Sequence, residues 1–178
     1  MTRVIDCLVN VDLGDAKPPE WMVRVKDDYF KAGDSFFKSP ELPELLDDMD
    51  ANGVEQAILI TRVSGDQDRA QRFAAAEPGR FALAAGGFNL LKPMKAVRAL
   101  ESFVSDHPVA CATVGPSFWG DGMYPPTDAV YFPLYTKCCE LELPLCMNAG
   151  LPGPPIPGDV QNPIHLDRVC VQIGRAHV

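Results

Sequence analysis

The sequence predicts an α/β fold built on parallel strands, and two observations carry that expectation. Short β-rich apolar runs alternate with amphipathic stretches at helical spacing from one end of the chain to the other. The β-rich runs are apolar at successive positions, as strands covered on both faces should be. Strand, helix and strand in repeated succession imply right-handed parallel crossovers. An open doubly wound sheet and part of a closed βα barrel both satisfy the pattern. No glycine-rich phosphate loop follows the first run, which weakens the nucleotide-binding form of the open sheet.

The strands are expected at residues 4–11, 57–61, 81–88, 109–114 and 145–148. The first intervening helix has Ser39-Pro40 as its cap and first-turn pair, with Pro43 as a later alternative start. Leu42, Leu45, Leu46 and Met49 then share one face, and Asn52-Gly53 stops it. Ala70, Phe73 and Ala74 mark the second helix, which ends before Pro78-Gly79. Val97, Leu100 and Val104 mark the third. Pro133 opens the fourth, where Leu134, Cys138 and Leu141 repeat before Pro144 ends it.

Residues 12–38 are too many for an ordinary strand-to-helix loop and carry Trp21, Met22, Tyr29, Phe30, Phe36 and Phe37. In a barrel, a long loop after the first strand rises over the C-terminal face. It is expected to be a lid or substrate wall, or else a subunit contact or self-packed flap.

The chain has 178 residues, enough for one domain. A complete eight-fold barrel takes roughly 250. A net charge of −8 without a basic run argues against nucleic acid or an anionic membrane as partner. With no secretory leader and no apolar run long enough to span a bilayer, the expected location is the cytoplasm. Cys7, Cys111, Cys138, Cys139, Cys146 and Cys170 form no CxxC pair and are expected to be buried free thiols. Residues 173–178, Ile-Gly-Arg-Ala-His-Val, translate one reading frame of a widely used sequencing adapter. They are expected to be foreign to the gene, so His177 receives no role and the barrel domain is taken as residues 1–172.

Several stretches, in order, resemble the amidohydrolase-related family that includes aminocarboxymuconate-semialdehyde decarboxylase-like enzymes. Val4-Ile5-Asp6-Cys7-Leu8-Val9-Asn10 is similar to the family's first-strand I-D-x-H-x-H, and Gly53-Val54-Glu55-Gln56-Ala57 to its G-V-x-x-A. Glu77-Pro78-Gly79-Arg80-Phe81 resembles N-P-D-R-F, Phe132-Pro133-Leu134-Tyr135 resembles D-P-L-Y, and Leu143-Pro144-Leu145 resembles G-L-P-V. Met147-Asn148-Ala149-Gly150 stands where members carry I-H-x-G, and residues 163–169 match P-x-x-L-D-x-V. The resemblance implies a partial (β/α)₈ TIM barrel, with about five of the eight strands in parallel.

It also implies a divalent metal such as zinc, held by the first-strand histidines and the histidine after strand five. Those positions are Leu8, Asn10 and Asn148 here. Leu has no donor atom and Asn is a poor zinc ligand, so no metal site is expected. His107, in Asp106-His107-Pro108, reads as a surface or capping residue.

Barrel enzymes place working residues just after the C-terminal ends of their strands. The residues there are Asn10 and Asp12, Thr61 and Arg62, Asn89 and Lys92, Ser117 and Trp119, and Asn148, with His165 at the start of helix five. Asp12 is the candidate general base, given a raised pKa, and Asn10 and Asn148 are candidate donors to a carbonyl. Arg62 is the candidate carboxylate clamp, with Asn89, Ser117, Trp119 and His165 as further substrate-binding candidates.

The expectation is thus a fragment of an amidohydrolase-like hydrolase or carboxy-lyase acting on a small carboxylated or cyclic substrate without the usual metal. The alternative is a catalytically silent barrel serving as a binding or assembly module. The parent protein is open to homo-oligomeric assembly. The fragment itself is expected to be inactive, with edge strands that invite aggregation.

Overall fold

The computed structural model describes residues 3–13, 17–64, 68–116, 124–152 and 157–173. Five strands form one parallel sheet in the order of the chain: β1 (Val4–Val9), β2 (Val54–Arg62), β3 (Phe81–Gly86), β4 (Val109–Val114) and β5 (Leu145–Met147). Among the described residues each strand pairs only with its sequence neighbours, without the reversal of strand order that marks a doubly wound sheet. The sheet curls into a half-barrel with helices between its strands, which is the partial (β/α)₈ architecture.

The helices are α1 (Glu20–Arg24), α2 (Leu42–Ala51), α3 (Arg69–Ala76), α4 (Pro93–Asp106), α5 (Phe132–Glu140) and α6 (Ile164–Ile173). Ser39-Pro40 does not cap α2. Glu41 is the N-cap, in a reciprocal capping box with Glu44 and with Pro43 inside the first turn. The Ser39 hydroxyl instead accepts from the Leu13 N–H at 3.0 Å, tying the two ends of the long loop together. Helix α2 ends where expected, at Asn52, with Gly53 at φ 69°. The core face of α4 runs through Ala96, Leu100 and Phe103, with Val97 and Val104 on its flank.

Arg80 joins β2 to the turn before β3. Its guanidinium donates to the Glu55 carbonyl at 2.8 Å, the Asp50 carboxylate at 2.7 Å and the Val54 carbonyl at 3.2 Å. One side chain thus fixes the α2–β2 junction against the β3 entry, which gives the Glu77–Phe81 motif a structural task.

The expectation that every strand is covered on both faces holds for β3, where only Ala82 escapes full burial. It fails for β1, where Val4, Ile5 and Leu8 are exposed. β1 and β5 are the two sheet edges, each flanked on one side only, and β1 has little packed across its inner face. The same geometry corrects the expectation of buried thiols. All six cysteines are free, but Cys138 alone is fully buried, whereas Cys7 on β1 and Cys146 on β5 are exposed.

The long loop holds α1, a π-helical turn at Val25–Phe30 and a 3-10 turn at Asp34–Phe37. Its rings pack on one another: Tyr29 on Phe30 at 4.9 Å, Phe30 on Phe36 at 5.4 Å and Phe36 on Phe37 at 5.1 Å. These ring contacts are internal to the loop, and Tyr29 and Phe30 remain exposed.

Candidate functional site

A cleft of about 660 Å³ opens at the C-terminal ends of the first four strands. β1 and the turn after it supply Asn10, Asp12 and Leu13. β2 supplies Ile60, Thr61 and Arg62, followed by Ser64 and by Asp68 at the start of α3. Gly86, Gly87 and Thr113 form the floor and the far wall. No ring of the long loop borders the cleft among the described residues, so that loop contributes only Asp12 and Leu13 to its wall.

Local sequence explains why these side chains meet. In register, Ile60 stands beside Ala84 and Arg62 beside Gly86, which puts Ile60, Arg62 and Gly86 on one face of the sheet. Asn10 lies just past the end of β1, where its Oδ1 accepts from the Asp12 N–H at 3.1 Å. This Asx-type turn engages the amide oxygen of Asn10 and presents the Asp12 side chain to the cleft. Asp12 is exposed there.

Behind the cleft lies a buried polar group. The Thr61 hydroxyl donates to Asp68 Oδ2 at 2.6 Å and accepts from Gln71 Nε2 at 3.1 Å. Asp68 Oδ2 also accepts from the Arg62 N–H at 3.3 Å, and its Oδ1 accepts from the Gln71 N–H at 3.0 Å as the cap of α3. Gln71 Nε2 donates in addition to the Arg62 carbonyl at 3.3 Å.

Of the residues expected to act, Asn10, Asp12 and Arg62 are brought together. Asn148 stands apart from the cleft lining, past the end of β5, with its N–H donated to the Val114 carbonyl at 3.2 Å. Asn89 closes a local turn, its Oδ1 accepting from the Leu91 N–H at 3.1 Å. A ring nitrogen of His165, Nε2, lies 3.1 Å from the Asp159 carbonyl, tying that side chain to its own loop. Ser117 and Trp119 lie outside the described residues. His107 caps α4 and lays its ring on Phe103, with centroids 4.3 Å apart.

Asp68, Gln71, Gly87 and Thr113 were not anticipated. Asp68 and Gln71 had a usable signal, since an Asp followed three residues later by Gln ahead of an apolar run marks a helix start. Gly87 and Thr113 had none, because only the pairing of neighbouring strands brings them to the cleft.

The residues at the family's ligand positions do not fit a divalent metal. Leu8 has an aliphatic side chain, and the amide oxygen of Asn10, its better donor to a cation, is already engaged by the Asp12 N–H. Among the described residues no three His, Cys, Asp or Glu side chains cluster as ligands.

A curled parallel sheet with helices between its strands and a polar cleft at their C-terminal ends defines a partial βα-barrel protein. Residues 6–174 match the family described as Amidohydrolase, and the chain belongs to that family. No curated protein sequence matches it. Among solved structures it is similar to 4-oxalomesaconate hydratase, LigJ, from Rhodopseudomonas palustris, with a TM-score of 0.50 and 20% identity over 82% of this chain. The chain spans 52% of the length of that structure. No helix among the described residues is long and apolar enough to cross a membrane.

Proposed function

We propose that the chain is part of an amidohydrolase-like hydrolase or carboxy-lyase that works on a small carboxylated or cyclic substrate without the family's usual metal. One observation carries this reading: Asn10 and Asp12, from the turn after β1, and Arg62, from the end of β2, line a single cleft.

In this reading the Arg62 guanidinium pairs with a substrate carboxylate and holds the substrate across the cleft. The Asn10 Oδ1 accepts from the Asp12 N–H, which leaves Nδ2 to donate to a substrate carbonyl and to the oxyanion that develops from it. For hydrolysis, Asp12 takes a proton from water as its oxygen bonds to the carbonyl carbon. The oxyanion then collapses, the leaving group departs, and Asp12 returns the proton to it. Asn148, just past the end of β5 and outside the lining of the cleft, is kept as a second candidate donor on that side of the barrel mouth.

The test uses a full-length barrel protein that carries the sequence of this chain. Its hydrolysis of a panel of lactones and carboxylated esters is measured with and without a chelator. Chelator-insensitive turnover, reduced at least about a hundredfold by Asp12→Asn or Asn10→Ala, supports the reading. Turnover that appears only on metal reconstitution overturns its metal-free part.

Leu8 at a ligand position favours a second reading, a silent barrel kept as a binding or assembly module. Asn10→Ala and Asn148→Ala variants that change neither turnover nor ligand binding would support that reading instead.

A further inference from the structure

We propose that Thr61, Asp68 and Gln71 are positioning residues that, with the bare backbone of Gly87, fix Arg62 for capture of a carboxylate. The inference rests on the reading of Arg62 as the carboxylate clamp and extends it to residues with no part in the chemistry.

β1 ends at Val9, opposite Leu59, so it does not extend along Arg62 three residues further on. On the other side, the Val63 N–H bonds to the Gly86 carbonyl at 3.0 Å, as the β2–β3 ladder requires. The peptide groups of Arg62 are held by side chains instead. Its N–H donates to Asp68 at 3.3 Å and its carbonyl accepts from Gln71 at 3.3 Å. Capping α3 needs only Asp68 Oδ1 on the Gln71 N–H. The second carboxylate oxygen and the Gln71 amide are spent on Thr61 and Arg62, which a cap does not require.

Thr61 and Gln71 are 2% and 6% exposed, so this group is shielded from water and its geometry is closely held. The side-chain stem of Arg62 is set by Gly87. A Cβ at that position would sit 3.1 Å from Arg62 Cγ and 3.3 Å from its Cβ, and the backbone there has φ +74°. Only glycine meets both conditions without strain. The guanidinium at the end of the stem has no hydrogen bond or ion pair among the described residues, and it faces the cleft. A main chain held at both peptide groups and a stem resting on bare backbone leave the guanidinium little freedom to lose on binding.

The experiment titrates the 178-residue chain with glutarate by calorimetry, alongside the side-chain Nε–H resonance of Arg62 assigned with the Arg62→Gln variant. The unmutated chain is expected to bind, and Arg62→Gln to abolish binding. Thr61→Val, Asp68→Asn and Gly87→Ala are expected to weaken binding at least about fivefold and to broaden or shift the Arg62 resonance. Thr61→Ser, which keeps the hydroxyl, is expected to restore binding to within about twofold. Asp68→Asn keeps a good helix cap, so its effect is read in a folded protein even where Thr61→Val is unstable.

If Arg62→Gln abolishes binding while the three folded variants bind like the unmutated chain, the positioning role is wrong and the clamp stands. If Arg62→Gln binds normally, or the unmutated chain does not bind glutarate at all, the clamp and the positioning role fall together.

Discussion

The Thr61 hydroxyl and the Asp68 carboxylate meet at 2.6 Å beneath the cleft, linking the end of β2 to the first turn of α3. Thr61 is buried, and the same hydroxyl accepts from Gln71. Removing it takes from Asp68 its shortest hydrogen bond and leaves the Gln71 amide with the Arg62 carbonyl, in a shielded place. Thr61→Val is expected to cost about 1–3 kcal/mol in urea unfolding, with Thr61→Ser near neutral. A loss below a few tenths would mean that water takes the place of the hydroxyl.

Leu100 is fully buried at the centre of α4 and belongs to the main core. Leu100→Ala is expected to destabilise by about 2–5 kcal/mol, from lost transfer energy and the cavity left behind. Val104, partly buried on the flank of the same helix, should lose distinctly less as Ala. Equal losses in denaturant titrations of the two variants would show that the core face of α4 has been misplaced.

The cysteines should divide by burial in a timed reaction with a water-soluble aromatic disulfide at pH 8. Cys7 and Cys146 are exposed and should react first. Burial pushes the Cys111 thiol up to about 11 and the Cys138 thiol up to about 12, each with smaller contributions from other thiols. Both should lag, with Cys138 slowest. Rapid modification of Cys138 in the folded chain would contradict the packing of α5.

The same two thiols make stability depend on pH at the alkaline end. Above the ordinary thiol value of 9.0 the unfolded chain releases protons that the folded chain retains, so the folded state binds more protons. Stability is therefore expected to be full below about pH 9 and to fall as pH rises toward 11 and 12. Cys138→Ala should flatten part of that slope in thermal melts taken from pH 8 to 11. An unchanged slope would assign the alkaline loss to other groups.

The repeat of the fold was legible because strand and helix periods alternate cleanly. Strand β4 runs over Val109–Val114 as expected, since Pro108 and Gly115-Pro116 bracket a run that is apolar but for Thr113. Edges were less legible. Nothing in Val4–Val9 distinguishes a strand flanked on both sides from one flanked on a single side, so its exposure became visible only in the assembled sheet. Ser39 was misassigned because a reciprocal Glu41–Glu44 pair outcompetes a lone hydroxyl, which then serves Leu13. In the site, Asn10, Asp12 and Arg62 followed from a rule of position, the ends of strands. Asn89 obeyed the same rule, and His165 stands at the start of a helix, but both are held by local turns, a short-range competition that position alone ignores. Gly87 depends on an approach between the ends of neighbouring strands, β2 and β3, for which one sequence carries no signal.

The central claim is that the cleft binds a carboxylate through Arg62 without a metal at positions 8, 10 and 148. It is tested most directly by a crystal structure of the chain grown with glutarate and a divalent zinc salt. The expected result is a glutarate carboxylate paired with the Arg62 guanidinium, its chain lying toward Asn10, and no zinc bound at those three positions. Zinc coordinated in the barrel mouth, or glutarate bound away from Arg62 in a cleft open to it, would contradict the account.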